Sequence, residues 1–188
     1  MEDYEYYYKH YRSKYYNACS EIQYCEQEIY ALTQQKRPVT NRINALNAKI
    51  KSIESTLEAL DKILGHEETI ATKITKVNTN MEAAAINYSG MVNSEDVTNK
   101  NLTSTYQEED SATSSAISSA FATVRSKKST LATNLADFKK DLQSAQQELE
   151  SLNSRIGTQQ YNLSYWKGQK TNSFYNMEYY RLKMLAAY

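Results

Sequence analysis

Apolar and aromatic residues recur along the first third of the chain in steps that alternate four and three. The positions are Tyr4, Tyr8, Tyr11, Tyr15, Ala18, Ile22, Cys25, Ile29, Leu32, Lys36, Val39, Ile43, Leu46, Ile50, Ile53, Leu57, Leu60 and Leu64. Seventeen of these eighteen are apolar or aromatic, where a chain that is 40% hydrophobic would place roughly seven by chance. Such a seam predicts a long helix that packs lengthwise against another helix. A second seam runs Ile117, Phe121, Val124, Lys128, Leu131, Leu135, Phe138, Leu142, Ala145, Leu149, Leu152, Ile156, Gln159, Leu163, Trp166, Lys170, Ser173, Met177, Tyr180, Met184, Ala187. A shorter stretch through Ile70, Ile74, Val77, Met81, Ala84, Tyr88 and Met91 joins them, and it predicts a one-position slip of the seam near Gly65. The positions between are Lys, Glu, Gln, Asn, Ser and Thr, which read as solvated helix faces.

Two long seams with one connection predict an all-α fold, a long antiparallel helical hairpin over residues 1–188 as a single domain. The first arm is expected over about 4–87, the turn region over about 88–104 and the second arm over about 105–187. The reversal is placed at Asn87-Tyr88-Ser89-Gly90 and Asn93-Ser94-Glu95-Asp96, with Tyr88 and Gly90 as turn residues. Thr105-Tyr106-Gln107-Glu108 fits a capping box, and the Ser/Thr-rich tract from Ser111 to Ser119 reads as weak helix or loop. Pro38 either bends the first arm or forces a stop near Gln35 and a restart. Gly65 could equally be a helix C-terminal glycine followed by a restart at Glu67-Glu68, and full turns at both places would make a shorter multi-helix bundle instead of the long hairpin.

Composition supports the helical reading. The 188 residues include four Gly and one Pro, where average usage gives roughly thirteen and nine. Turn-rich sheet folds need more of both. Lys plus Arg and Asp plus Glu both number 22, and no basic run is present, so nucleic acid is not an expected partner. No apolar run reaches membrane-spanning length, so stable membrane insertion is not expected. The acidic start Met1-Glu2-Asp3-Tyr4-Glu5 lacks the apolar region of a secretory signal, which predicts a cytoplasmic protein. Cys19 and Cys25 lie about 9 Å apart along a helix at ~1.5 Å per residue, beyond disulfide reach, so two free thiols are expected.

Candidate chemistry is sparse. His10 and His66 are the two histidines, far apart and without a metal-spaced constellation. No nucleophile motif is present, and four isolated glycines make no phosphate loop. A fold two helices wide is expected to lack room for a ligand pocket. No enzyme activity, cofactor or metal is therefore expected.

The tyrosines are the unusual feature. Seventeen occur, seven of them in the first sixteen residues and six in the last twenty-eight, and the hairpin brings these two groups together. Tyr4, Tyr8, Tyr11, Tyr15 and Tyr180 fall on the seams and are read as packing. Tyr6, Tyr7, Tyr16, Tyr161, Tyr165, Tyr175 and Tyr179 fall off them. A two-helix hairpin cannot bury both its seam and its flanks. These rings therefore predict a second contact surface for a helical protein partner or a second copy in a homodimer.

Trp166-Lys167-Gly168 is a Trp-x-Gly triplet, and Tyr88-Ser89-Gly90 has the same aromatic-x-Gly form at the expected reversal. Such a triplet in a helical hairpin resembles the WXG-type family of bacterial type VII secretion. The tyrosine-rich start from Tyr6 to Tyr16, running into a coiled segment, resembles the YwqH-like partner proteins of LXG toxins. The resemblance implies a non-enzymatic helical adaptor or chaperone that binds the helical domain of an LXG-type toxin and presents it to the secretion system. It also implies cytoplasmic residence with export by the same route. It would give Trp166 and Gly168 a recognition role. The family export signal, an aromatic residue four before an acidic one on one helix face, has three formal matches, Tyr24/Glu28, Tyr106/Asp110 and, with Phe, Phe174/Glu178, of which the last is near the C-terminus. The alternative from the seams alone is a self-associating coiled-coil structural scaffold.

Overall fold

A computed structural model describes the backbone of residues 3–91 and 97–187 and the side chains of residues 3–84 and 107–187. The fold is all-α, a helical hairpin, as the two seams predict. Helix α1 spans Tyr4–Gly65, α2 spans Glu67–Met91 and α3 spans Val97–Ala186, with no strand among the described residues. The described residues pack as two compact units. One joins Met1–Asn47 with Lys140–Tyr188, and the other is Ala48–Lys139.

Within the first unit, contacts run from Tyr11 with Tyr180, through Glu26 with Lys167, to Arg42 with Glu148. Within the second they run from Glu54 with Lys139 to Asn78 with Asp110. As the first partner's number rises, the second falls, which is antiparallel pairing in each unit. All eighteen positions of the first seam are buried or half-buried. So are all of the second from Ile117 to Met184, and only its last member, Ala187, is exposed. In the first unit Leu32, Val39 and Leu152 form a buried cluster with Ile43, Leu149 and Ile156 packed against it.

Local chemistry explains the helix ends and interiors. Asp3 caps α1: its Oδ1 accepts from the Tyr6 backbone N–H at 3.0 Å, satisfying a donor the first turn leaves over. Threonines are poor helix formers, and here their hydroxyls turn back onto the carbonyl four residues earlier, as Thr33 does to Ile29 at 2.7 Å and Thr123 to Ser119 at 2.9 Å. The Ser111–Ser119 tract is helix throughout, set between the half-buried Asp110 and the packed Ile117 and Phe121.

Pro38 does not break α1, which runs through it unbroken. Its ring lies on the exposed face, so the seam on either side packs despite the carbonyl left without a donor. Pro38→Ala restores that donor and is expected to stabilise the protein by about 1–2 kcal/mol, read as a later urea midpoint. Gly65 does mark an interruption, but a single residue long. His66 alone separates α1 from α2, its N–H reaching back to the Ile63 carbonyl at 3.1 Å, while its own carbonyl accepts from Ile70 at 2.9 Å. No described glycine has a positive φ, so the left-handed cap expected at Gly65 is not the device used.

Three further expectations need correction. The turn was placed at Tyr88 and Gly90, and both lie in the last turn of α2. Helix α2 ends at Met91 and α3 begins at Val97; residues 92–96, and with them the whole Asn93–Asp96 turn signal, lie outside the described residues. Thr105–Glu108 sits inside α3 and does not start it. The slip near Gly65 is also absent. The first seam keeps its register into α2, where Glu67, Ile74 and Asn78 are half-buried, while Ile70, Val77, Met81 and Ala84 are exposed. On this face Glu67 pairs with Arg125 and Asn78 with Asp110 of the facing helix.

Candidate docking surface

In the first unit the two tyrosine groups interlock around one ring. Tyr180 on α3 stacks on Tyr7 at 5.0 Å and on Tyr11 at 5.7 Å, and lies 6.5 Å from Tyr4, all centroid to centroid. Tyr15 meets Phe174 at 6.0 Å. These helices arrive side by side because the seams end in rings at both termini, and stacked or tilted pairs are the preferred arrangement for such rings.

Several further tyrosines stay in water. Tyr161 is 74% exposed and Tyr175 69%, and Tyr6, Tyr16, Tyr165 and Tyr179 are also exposed. Tyr6 stacks on His10 at 6.2 Å and meets the edge of Tyr7 at 5.5 Å. Cations from the same chain lie over several rings: Arg12 over Tyr16 at 5.8 Å and Lys183 over Tyr179 at 5.6 Å. Tyr7 is intermediate in role: off the seam, 40% exposed, yet stacked on Tyr180. Trp166 is half-buried on the seam, its ring 5.1 Å from Tyr165. Nothing lies within 4 Å of a Cβ built on Gly168, so that position is open to solvent. Phe174 is exposed at the edge against Tyr15, and the Glu178 carboxylate accepts from Arg181 at 2.9 Å.

Four exposed residues extend this set beyond the expectation: Tyr24 and Tyr30 on α1, Leu182 and Leu185 on α3. Their offset from the seams was legible in the spacing. The structure also holds space that a two-helix fold was expected to lack. A groove of about 680 Å³, open to solvent, is lined by Tyr15, Ile22, Glu26, Lys167, Lys170 and Phe174, among others. Lys170 lies over the Tyr15 ring at 5.6 Å, and Lys167 and Glu26 approach to 3.7 Å across it. It is a cleft between side chains, not an enclosed cavity.

Among the described residues no group of His, Cys, Asp and Glu is arranged to hold a metal ion, and no helix is long and apolar enough to cross a membrane. Both cysteines are free. Cys25 is buried, and loss of solvent pushes its thiol pKa up, with Glu21 adding to the shift. A maleimide is therefore expected to label Cys19, which is half-buried, well before Cys25. Mass spectrometry of peptides after a short pulse checks this, and equal labelling would contradict the packing.

Rings partly exposed on helix faces are suited to contact with another protein. Comparison with known proteins adds no relative: no family model, no curated protein and no solved structure matches the chain.

Proposed function

We propose that the chain is a non-enzymatic helical adaptor or chaperone for the helical domain of an LXG-type toxin, which it presents to a type VII secretion system. The observation that carries the docking part is the aromatic surplus of the first unit. Once the seam is closed, Tyr6, Tyr16, Tyr161, Tyr165, Tyr175 and Tyr179 are still exposed. A helix partner's apolar face would cover them. The toxin and the secretion route rest on the sequence resemblance: Trp166-x-Gly168, Tyr88-x-Gly90 and the tyrosine-rich start. In this reading the chain works in the cytoplasm, Gly168 lies in the contact surface, and Phe174 with Glu178 marks it for export.

Co-expression with the helical N-terminal domain of an LXG toxin tests the proposal. The two are expected to co-purify in a fixed ratio. Tyr16→Ser with Tyr161→Ser is expected to weaken the complex at least tenfold without changing helix content, because both rings are exposed. Absence of a complex with any such domain would leave the scaffold reading, which the spacing of exposed residues on α3 favours.

A further inference from the structure

Eight exposed residues on α3 lie on one line, while the exposed Phe174 and Leu185 lie off it. Tyr161, Tyr165, Gly168, Asn172, Tyr175, Tyr179, Leu182 and Ala186 follow one another in alternating steps of four and three, and every one of them is exposed. This is a second heptad stripe, on nearly the opposite side of α3 from the seam that packs on α1. The exposed tyrosines of α1, at 6, 7, 16, 24 and 30, have no such spacing. A flat partner surface would not require a 4-3 repeat. A helix does, because only a helix sets knobs into holes at that interval.

We propose that this stripe pairs antiparallel with the same stripe of a second copy of the chain. The proposal does not depend on the adaptor reading: where a second copy takes Tyr161, Tyr165, Tyr175 and Tyr179, a toxin helix has the exposed rings of α1, such as Tyr6 and Tyr16, or must displace that copy. Its first support is size. In the full-overlap antiparallel register, Tyr161 faces Ala186 of the other copy, Tyr165 faces Leu182, Gly168 faces Tyr179 and Asn172 faces Tyr175, and the dyad repeats each layer. Every layer sets one ring against one residue without a ring. The Gly168 position, which has no neighbour within 4 Å, is the hole for the Tyr179 ring. A parallel pairing would instead set ring on ring at Tyr161, Tyr165, Tyr175 and Tyr179, and leave a void where Gly168 meets Gly168.

The second support is charge. The residues flanking the stripe are Asn162, Gln169, Asn176 and Lys183 on one side and Ser164, Thr171, Glu178 and Leu185 on the other. In the antiparallel register Lys183 faces Asn162 and Glu178 faces Thr171, so no like charges meet. A foreign partner chosen by charge would find almost none to read. The third support is area. Four tyrosines a copy, each able to enclose on the order of 150–250 Å² and more than half exposed now, give the pair about 1,000 Å². That is the lower bound of a specific interface, about 1,000 Å² in total, before Leu182 and Ala186 contribute. Asn176 Nδ2 donates to Asn172 Oδ1 at 3.0 Å, which fixes the carboxamide that the Tyr175 ring of the other copy would meet.

The test uses the full-length chain. Light scattering at about 100 µM is expected to give twice 21.6 kDa. In a Cys19→Ser, Cys25→Ala background, Gly168→Cys chains are mixed with Tyr179→Cys chains and oxidised. A 168–179 disulfide between copies is expected, in at least tenfold excess over 168–168 and 179–179. Tyr175→Glu with Tyr165→Glu, both exposed, is expected to return a monomer with unchanged helix content. A monomer at 100 µM, a dominant 168–168 crosslink, or a dimer that survives the double glutamate substitution would each overturn the proposal. Should the antiparallel crosslink form while no toxin domain binds, the pairing stands and the adaptor reading falls.

Discussion

Leu32→Ala is expected to cost about 3 kcal/mol, within the range of about 2–5 kcal/mol seen when a buried leucine is cut back to alanine. Leu32 is 2% exposed and shares a buried cluster with Val39 and Leu152. Truncation removes the side chain from between two helices whose backbones are held apart by the layers above and below. The hole therefore closes only in part, and the lost contacts add to the lost burial. Alanine is the better helix former, so the loss cannot be assigned to the backbone of α1. For a chain of this size the thermal midpoint followed by circular dichroism should fall by roughly 6–12 °C. Val77→Ala is the control. Val77 is exposed in α2, and its truncation should move the midpoint by about 2 °C or less, the effect of an ordinary surface change. Comparable losses at both positions would mean the seam does not bury what the structure shows.

Tyr180→Ala should have the second largest effect, about 2–3 kcal/mol, and a more local one. One ring on α3 meets three on α1: Tyr7, Tyr11 and Tyr4, with centroids between 5.0 and 6.5 Å away. Each aromatic pair contributes about 0.5–1.5 kcal/mol beyond its buried area. The loss falls on the first two turns of α1, which have little other apolar anchorage, since buried residues begin at Ala18. Amide exchange should therefore quicken over residues 4–11 while the Leu32 region keeps its protection. Tyr180→Phe keeps the ring and should lose far less. Uniform loss of protection along α1 would contradict a local anchor.

Gln159 offers a smaller gain. It lies on the α3 seam with its Oε1 buried and without a hydrogen-bond partner among the described residues. Gln159→Leu should stabilise the protein by about 1–2 kcal/mol, since an unpaired buried acceptor gives way to apolar contact. A lower urea midpoint would show that the carboxamide has a partner after all.

Particular residues show how far periodicity reaches. The register of Tyr4 to Leu64 and of Ile117 to Met184 was legible because all but Lys36, Lys128, Gln159, Lys170 and Ser173 of those residues are apolar or ringed on one helix face, and two such faces close on each other. The exposed set was legible for the complementary reason: Tyr16, Tyr161 and Tyr175 lie off a face that two helices can cover. Tyr7 was misjudged in part, since the Tyr180 ring is long enough to reach a flank and stack there. Pro38 was left open because the cost of a proline depends on whether its ring faces the partner or the solvent.

The amino-acid sequence by itself determined that this protein is helical and antiparallel and carries more rings than its seam can bury. Heptad spacing and turn-residue scarcity act locally and need no partner to be read. Tertiary structure alone decided which face of α2 turns inward, how α1 passes Pro38 and Gly65, and that the chain runs helical through Tyr88 and Gly90. Those outcomes depend on what stands opposite. Arg125 and Asp110 on α3 stand opposite this face and pair with Glu67 and Asn78, while Ile70 and Val77 are left in solvent.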